Sequence, residues 1–199
     1  MKLRHVVVLA MVGIALGACR RREPPPVAPA PGPDTAAINA AERARQDSIA
    51  RARAAAEAEA AAREAEARAR AAEIARVRES LTEVVYFEYD SEQLTSDTES
   101  RLQRKIAILR ANSGLQVRVE GHADERGSTE YNLALGQRRA ESVRNYLANY
   151  GIGADRVTTL SYGEERPVAM GEGEAVWRQN RRAEFVLTGG EITNVPSGI

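Results

Sequence analysis

The chain has 199 residues, enough for one globular domain of ordinary size once a leader and linkers are set aside. Its 28 basic and 28 acidic side chains balance, so no bulk attraction to nucleic acid is implied. The sequence contains one cysteine and two histidines, His5 and His122. Because His5 falls in a predicted leader, a histidine or thiolate metal cluster is not available, and we expect neither a metal nor a cofactor.

Residues 1–18 have the features of an export signal. A positively charged start precedes an apolar run from Val6 to Leu16, which is too short to span a bilayer comfortably. The run ends in Leu16-Gly17-Ala18-Cys19, which resembles the lipobox of bacterial lipoproteins. We predict that Cys19 is acylated and becomes the mature N-terminus; the alternative is an ordinary secretory leader with an accidental cysteine. In the lipoproteins that this motif resembles, an aspartate directly after the cysteine commonly retains the protein in the inner membrane. Residue 20 is arginine, so the resemblance favours the outer membrane.

Two segments of biased composition follow the leader. Residues 19–34 form a lipid-anchored linker with most of the prolines in the chain, which favours an extended, semi-rigid spacer. Residues 35–80 consist mainly of Ala, Arg and Glu, and predict one long helix of roughly 65 Å at about 1.5 Å per residue. Asp34 or Thr35 could cap its start. Large apolar residues are scarce, so a stalk is favoured over an Ala-rich coiled coil, and a partly disordered linker stays open.

The folded domain is predicted to occupy residues 81–188, with a frayed tail over residues 189–199. Alternating and helical periodicities predict a compact α/β layer whose helices pack on one face of a small sheet. The predicted strands are Glu83–Asp90, Leu115–Glu120, Val157–Ser161 and Arg182–Leu187. Three helices are predicted in this domain. The first starts at Thr95 or Ser96 and ends at Ala111, the second contains Arg139 and extends to Leu147, and the third is a short helix around Trp177.

The stretch from Gly121 to Leu147 contains the strongest functional clue. Projected at about 100° per residue, its helix places Arg139 roughly 40° from the centre of an apolar stripe that includes Leu133 and Tyr150. A buried guanidinium keeps its proton and needs a carboxylate from the protein or from a ligand. From composition alone, Arg139 would reach outward to solvent or pair with Asp124 or Glu125.

Two aspartates are expected close to this arginine. Asp90 and Asp124 both follow predicted strands, and the loops after the carboxyl ends of strands are the usual ligand sites in such layers. Asp90, Asp124 and Arg139 are therefore predicted to converge.

Four motifs carry a resemblance to a known family: FEYDSEQL, VEGHADERGSTEYNLALGQRRAESVRNYL, SYGEERP and NRRAEFVL. Together they resemble the OmpA-like C-terminal domain and, within that family, the peptidoglycan-associated lipoproteins (Pal). The resemblance covers roughly Val84 to Leu187 and leaves out the Ala/Arg/Glu segment. It implies a mixed βαβαβ-type sandwich that binds the diaminopimelate of the peptidoglycan stem peptide without covalent chemistry.

The resemblance also assigns roles to residues. Asp124 matches the acid that holds the ammonium of diaminopimelate, and Arg139 matches the arginine that holds its carboxylate. Asp90 organises the loop or contacts the ligand. His122 is expected to pack its loop rather than act as a base. Arg181 and Arg182 are expected to support the Gly-rich loop of residues 162–173, and Trp177 is expected to be a packing anchor. Ala123 replaces a threonine common in the family, so a hydroxyl near Asp124 is lost.

The implied protein is a lipid-anchored outer-membrane lipoprotein whose domain faces the periplasm and ties the membrane to peptidoglycan. The resemblance also implies a place in the Tol-Pal system, with TolB and other Tol proteins as partners, in envelope integrity and cell division. The alternative is an envelope spacer outside that system, bound to the wall or to a protein. An enzyme would need a nucleophile with a base, a metal cluster or a carboxylate pair, and only His122, Asp124 and Glu125 could be recruited. We therefore expect no enzymatic activity. A motor-stator anchor would need a transmembrane helix near the N-terminus.

Overall fold

The computed structural model describes residue 32 and residues 34–196, and the chain divides into two units at Ala54 and Ala55. The predicted leader, Cys19 and most of the Pro-rich segment lie outside the described residues. Helix α1 runs from Thr35 to Thr82 and covers the whole Ala/Arg/Glu segment. The Asp34 carboxylate accepts hydrogen bonds from the backbone N–H groups of Ala36 and Ala37, so it caps the start of the helix. Among the described residues, no helix has the length and apolar character needed to cross a bilayer.

The second unit alternates strands and helices, as the periodicity predicts. Its strands are β1 (Val85–Tyr86), β2 (Gln116–His122), β3 (Val157–Gly163) and β4 (Arg182–Gly189). Its later helices are α2 (Ser96–Ala111), α3 (Thr129–Asn149) and α4 (Glu174–Asn180), and a 3-10 turn spans Ala154–Arg156. Thr95 and Ser128 cap α2 and α3 with their side-chain oxygens.

The four strands form one mixed sheet in the order β1-β4-β2-β3. Strand β4 is antiparallel to β1 and to β2, and β2 is parallel to β3. Strands β1 and β2 therefore point the same way, and the segments that follow them leave the sheet at the same edge. This arrangement confirms the predicted α/β fold class and brings the loops after β1 and β2 together.

The hydrophobic core lies between the helices and one face of the sheet. Val117 and Val119 of β2 and Phe185 of β4 pack against Ala140 and Val143 of α3. In β2 this one-sided burial holds over residues 116–119, and from Glu120 to His122 both faces of the strand are buried. The last turns of α1 also enter this core through Val77 and Leu81, which are fully buried.

Three predictions differ from the structure. The first strand has two residues rather than eight, because the chain bends at Asp90, whose φ is 49°, and nearby carbonyl groups accept bonds from arginine side chains. Leu133 and Tyr150 were predicted on the apolar stripe of α3, but their exposed fractions are 46% and 39%. Tyr150 lies just beyond the last residue of the helix. The prediction of a frayed tail is wrong for residues 191–194, since Ile192 is buried and the Asn112 side chain bonds the backbone of Asn194.

Candidate functional site

Arg139 is completely buried although it carries a charge. Its exposed fraction is 0%, and its three guanidinium nitrogens donate to the backbone oxygens of Ser91, His122 and Glu88 at 2.8, 2.8 and 3.0 Å. Within residues 34–196 no carboxylate oxygen lies within 4.0 Å of Arg139, so neither predicted ion pair forms. Burial lowers the pKa of Arg139 to about 10 despite the opposing charge of Asp124, and the group stays protonated near neutral pH.

The hydrogen bonds leave part of the guanidinium unused. A guanidinium has five N–H donors in a fixed fork, and three of them serve the backbone carbonyl groups. The remaining donors suit a carboxylate, which binds such a fork with two parallel hydrogen bonds. Arg139 lines a cavity of about 110 Å³ between the loops that follow β1 and β2.

Asp90 and Asp124 line the same cavity, so the three predicted residues do converge. Asp90 accepts a hydrogen bond from the Tyr131 hydroxyl and has further acceptor capacity. Asp124 is 4% exposed, and its carboxylate accepts four hydrogen bonds, three from Arg126 and one from Arg181. Four is about the full capacity of a carboxylate. Burial alone would raise the pKa of Asp124, but the bonds from the two arginines outweigh it and lower the pKa.

Arg126 is the site residue to which sequence reasoning assigned no role. Its Nη2 lies 2.6 Å from Asp124 Oδ2, and its guanidinium stacks on Tyr89 and Trp177 at 3.9 and 4.2 Å from the ring centroids. The Trp177 indole in turn donates to Glu125 Oε1 at 2.9 Å. Trp177 therefore packs as predicted, and the group it packs on is an arginine at the cavity wall. The sequence signal that could have identified Arg126 is its position two residues after Asp124, within reach of that carboxylate.

Arg181 is a buried residue that supports the site through Asp124. Its side chain is 1% exposed and bonds the Phe87 carbonyl group at 3.1 Å, Asp124 at 3.3 Å and Glu174 at 2.5 Å. Arg182 reaches the Arg166 carbonyl group at 3.1 Å, which agrees with its predicted support of the Gly-rich loop. Charges of both signs thus surround the cavity, with two aspartates and two arginines on its walls.

His122 packs inside the domain, as expected. It is 2% exposed, its ring stacks on Tyr162 with centroids 5.5 Å apart, and its carbonyl oxygen accepts from Arg139. Asn132, which sequence reasoning did not single out, is buried beside the cavity and donates to Glu164 at 2.6 Å. It holds the Gly-rich loop next to the start of α3.

Comparison with known proteins agrees with the fold and with the motifs that lie around the cavity. The model of the OmpA family matches residues 86–181. A crystal structure of the peptidoglycan-associated lipoprotein from Burkholderia pseudomallei is 43% identical, covers 53% of this chain and 89% of its own, and superposes with a TM-score of 0.52. Residues 86–181 of the chain form an OmpA family domain.

Curated relatives named peptidoglycan-associated lipoprotein are similar to about half of the chain. The protein from Brucella melitensis is 46% identical over 105 residues, which is 53% of this chain and 62% of the relative. The protein from Haemophilus influenzae is 48% identical over 99 residues, or 50% of this chain and 65% of the relative. The chain thus spans about three fifths of the length of the curated relatives it matches. Helix α1 ends before the residues that the family model matches.

Proposed function

We propose that the second unit binds peptidoglycan without covalent chemistry, by the zwitterionic end of diaminopimelate in the stem peptide. The observation that carries this proposal is Arg139, a buried cation held by three backbone carbonyl groups at a cavity wall, with no carboxylate within 4.0 Å among the described residues. A buried charge that has no opposite charge beside it is costly, and a ligand carboxylate would relieve that cost.

The two aspartates supply the complementary half of the site. Diaminopimelate ends in an ammonium and a carboxylate on one carbon, and the cavity places acids and an arginine on its walls. Asp90 has free acceptor capacity and receives the ammonium first. Asp124 shares it only if Arg126 releases one of its three bonds. A cavity of about 110 Å³ suits such a chain end and is too small for a glycan.

The remainder of the chain fits an envelope tether. We propose that Cys19 is acylated and holds the chain in the outer membrane, with residues 19–34 as linker and residues 35–80 as a helical stalk. The relatives' name, peptidoglycan-associated lipoprotein, supports a location in the envelope. A place in the Tol-Pal system, with TolB as a partner, is part of the proposal and rests on the family resemblance of the motifs alone. Many tethered copies facing a repeating polymer would hold membrane to wall through effective concentration, even where one site is weak. No catalytic step is required.

The test is calorimetric titration of the full chain with a muropeptide that contains diaminopimelate. A matched muropeptide with lysine at the same position lacks the terminal carboxylate, so the proposal expects saturable binding of the first and a large loss for the second. Arg139→Lys should abolish the difference between the two ligands, since lysine presents no fork. Arg138→Ala, a change at the half-exposed neighbour, is the control. If the folded wild-type chain binds neither muropeptide, the envelope-spacer or protein-partner function replaces wall binding.

A further inference from the structure

Three side chains outside the cavity form a compact group on the sheet. Glu120 of β2 and Glu184 of β4 are direct cross-strand partners, and His122 lies two residues beyond Glu120. One possible ligand atom from each residue lies within 4.8 Å of the others. Two carboxylates directly opposite each other repel, so this pairing is unfavourable unless a positive group lies between them.

His122 is buried in this group without a polar partner. Its side chain is 2% exposed, and neither ring nitrogen forms a hydrogen bond with any residue in the described part of the chain. Nε2 is 3.8 Å from Glu184 Oε1, too far for a hydrogen bond but close enough to share an ion with it. Leaving such a group unpaired is costly, so the side chain is positioned for a partner from outside the chain.

We propose that Glu120, His122 and Glu184 bind a divalent transition-metal ion of the Zn²⁺ class and that the ion ties β2 to β4. One imidazole nitrogen and two carboxylate oxygens form a donor set that zinc accepts, with water in a fourth position. Glu184 is about one third exposed, which gives an ion a route from solvent.

Two arginines occupy the second layer around this group. Arg118 bonds Glu120 Oε1 at 2.6 Å, and Arg182 bonds Glu184 Oε1 at 2.6 Å. Hydrogen bonds to ligating carboxylates commonly fix their orientation, so each arginine would orient the glutamate that it bonds. The same two positive charges repel a cation, so the titration has to extend to high zinc concentration.

The test uses the full chain, stripped with EDTA and titrated with ZnCl₂ by calorimetry. Glu184→Gln keeps the shape of the side chain and removes one ligand charge, and the exposed Glu165→Gln is the matched control. We expect one zinc per chain, at least tenfold weaker binding for Glu184→Gln, and unchanged binding for Glu165→Gln. Long-range ¹H–¹⁵N spectra should show a shift of a His122 ring nitrogen on zinc addition, resolved from His5.

Three results would each overturn the proposal. The first is no saturable zinc binding by the folded wild-type chain. The second is equal binding by Glu184→Gln and Glu165→Gln, which would locate zinc elsewhere. The third is a His122 ring that does not respond to zinc. His122→Ala removes the nitrogen ligand but changes a buried side chain, so Glu184→Gln keeps the test valid if that variant fails to fold.

Discussion

Arg126 supplies three of the four hydrogen bonds that the Asp124 carboxylate accepts. The fourth comes from Arg181, so the aspartate that the family resemblance assigns to a ligand ammonium is fully occupied by arginines of the protein itself. The Arg126 guanidinium also lies over the rings of Tyr89 and Trp177. A ligand ammonium at Asp124 therefore competes with an arginine that two aromatic rings hold in place.

This competition predicts that Arg126→Ala tightens muropeptide binding. A hydrogen bond to a charged group contributes about 1.5–3 kcal/mol, so we expect an affinity gain of roughly tenfold or more in calorimetric titration. Arg166→Ala is the control, because the Arg166 guanidinium also lies over a tyrosine, 3.7 Å from the centroid of the Tyr162 ring. This change should leave the affinity unchanged. Weaker binding by Arg126→Ala would mean that Arg126 contacts the ligand itself.

Trp177 should report this displacement by fluorescence. It is the only tryptophan in the chain, and its ring lies 4.2 Å from the Arg126 guanidinium. When a ligand ammonium moves Arg126 away, the emission of Trp177 should change in proportion to occupancy. The lysine muropeptide, lacking the terminal carboxylate, should produce little change at the same concentration. Constant emission at saturating diaminopimelate muropeptide would show that Arg126 stays stacked.

Substitution of Arg139 should reduce stability as well as binding. Arg139→Ala removes a buried side chain and the donors of three carbonyl groups, of which that of His122 is buried, and the expected loss in the free energy of unfolding is about 3–5 kcal/mol. Arg138→Ala should cost less than about 1 kcal/mol, because its contact with Glu92 is an exposed pair at 3.8 Å. Urea denaturation of the two variants measures this difference. Equal losses would contradict the placement of Arg139 in the core.

Asp124 should contribute to acid sensitivity. Its pKa in the folded protein is lowered by Arg126 and Arg181 against the effect of burial, so its stabilisation is present above the unfolded value of about 4. The stabilisation is lost as pH falls through the lower folded pKa, because the unfolded chain then binds the proton first. We expect the stability difference between wild type and Asp124→Asn to shrink below pH of about 4. A difference that stays constant from pH 6 to pH 2.5 would contradict this linkage.

The close approach of α3 to the sheet depends on glycine. A Cβ at Gly136 would lie 2.4 Å from Ser161 Oγ and 2.8 Å from the Gly121 carbonyl oxygen. Gly136→Ala should therefore destabilise the domain by about 1–3 kcal/mol, although alanine is normally the better helix former by about 1 kcal/mol. Gly114→Ala, at a turn with open space around it, is the control for urea denaturation. A stabilised Gly136→Ala protein would mean that α3 can move away from β2 without cost.

Local sequence determined much of this protein. Residue periodicity gave α2, α3 and the three longer strands within a few residues, and the helical projection placed Arg139 on the apolar side of α3. Asp90 and Asp124 were expected to meet because each follows a strand, and the parallel directions of β1 and β2 bring them to one edge of the sheet. Periodicity reports which face of an element is buried, so it could reach these conclusions without knowledge of distant contacts.

The tertiary structure alone decided which atoms meet. Arg139 binds carbonyl groups 17 to 51 residues away in the chain, and these bonds take part of the backbone that the predicted first strand would have used. Arg126 bonds Asp124 and also contacts the rings of Tyr89 and Trp177, which come from distant segments of the chain. Glu120 faces Glu184 through the register of β2 and β4. Hydrogen-bond partners and charge neighbours depend on how remote segments pack, and no local pattern in the sequence records that packing.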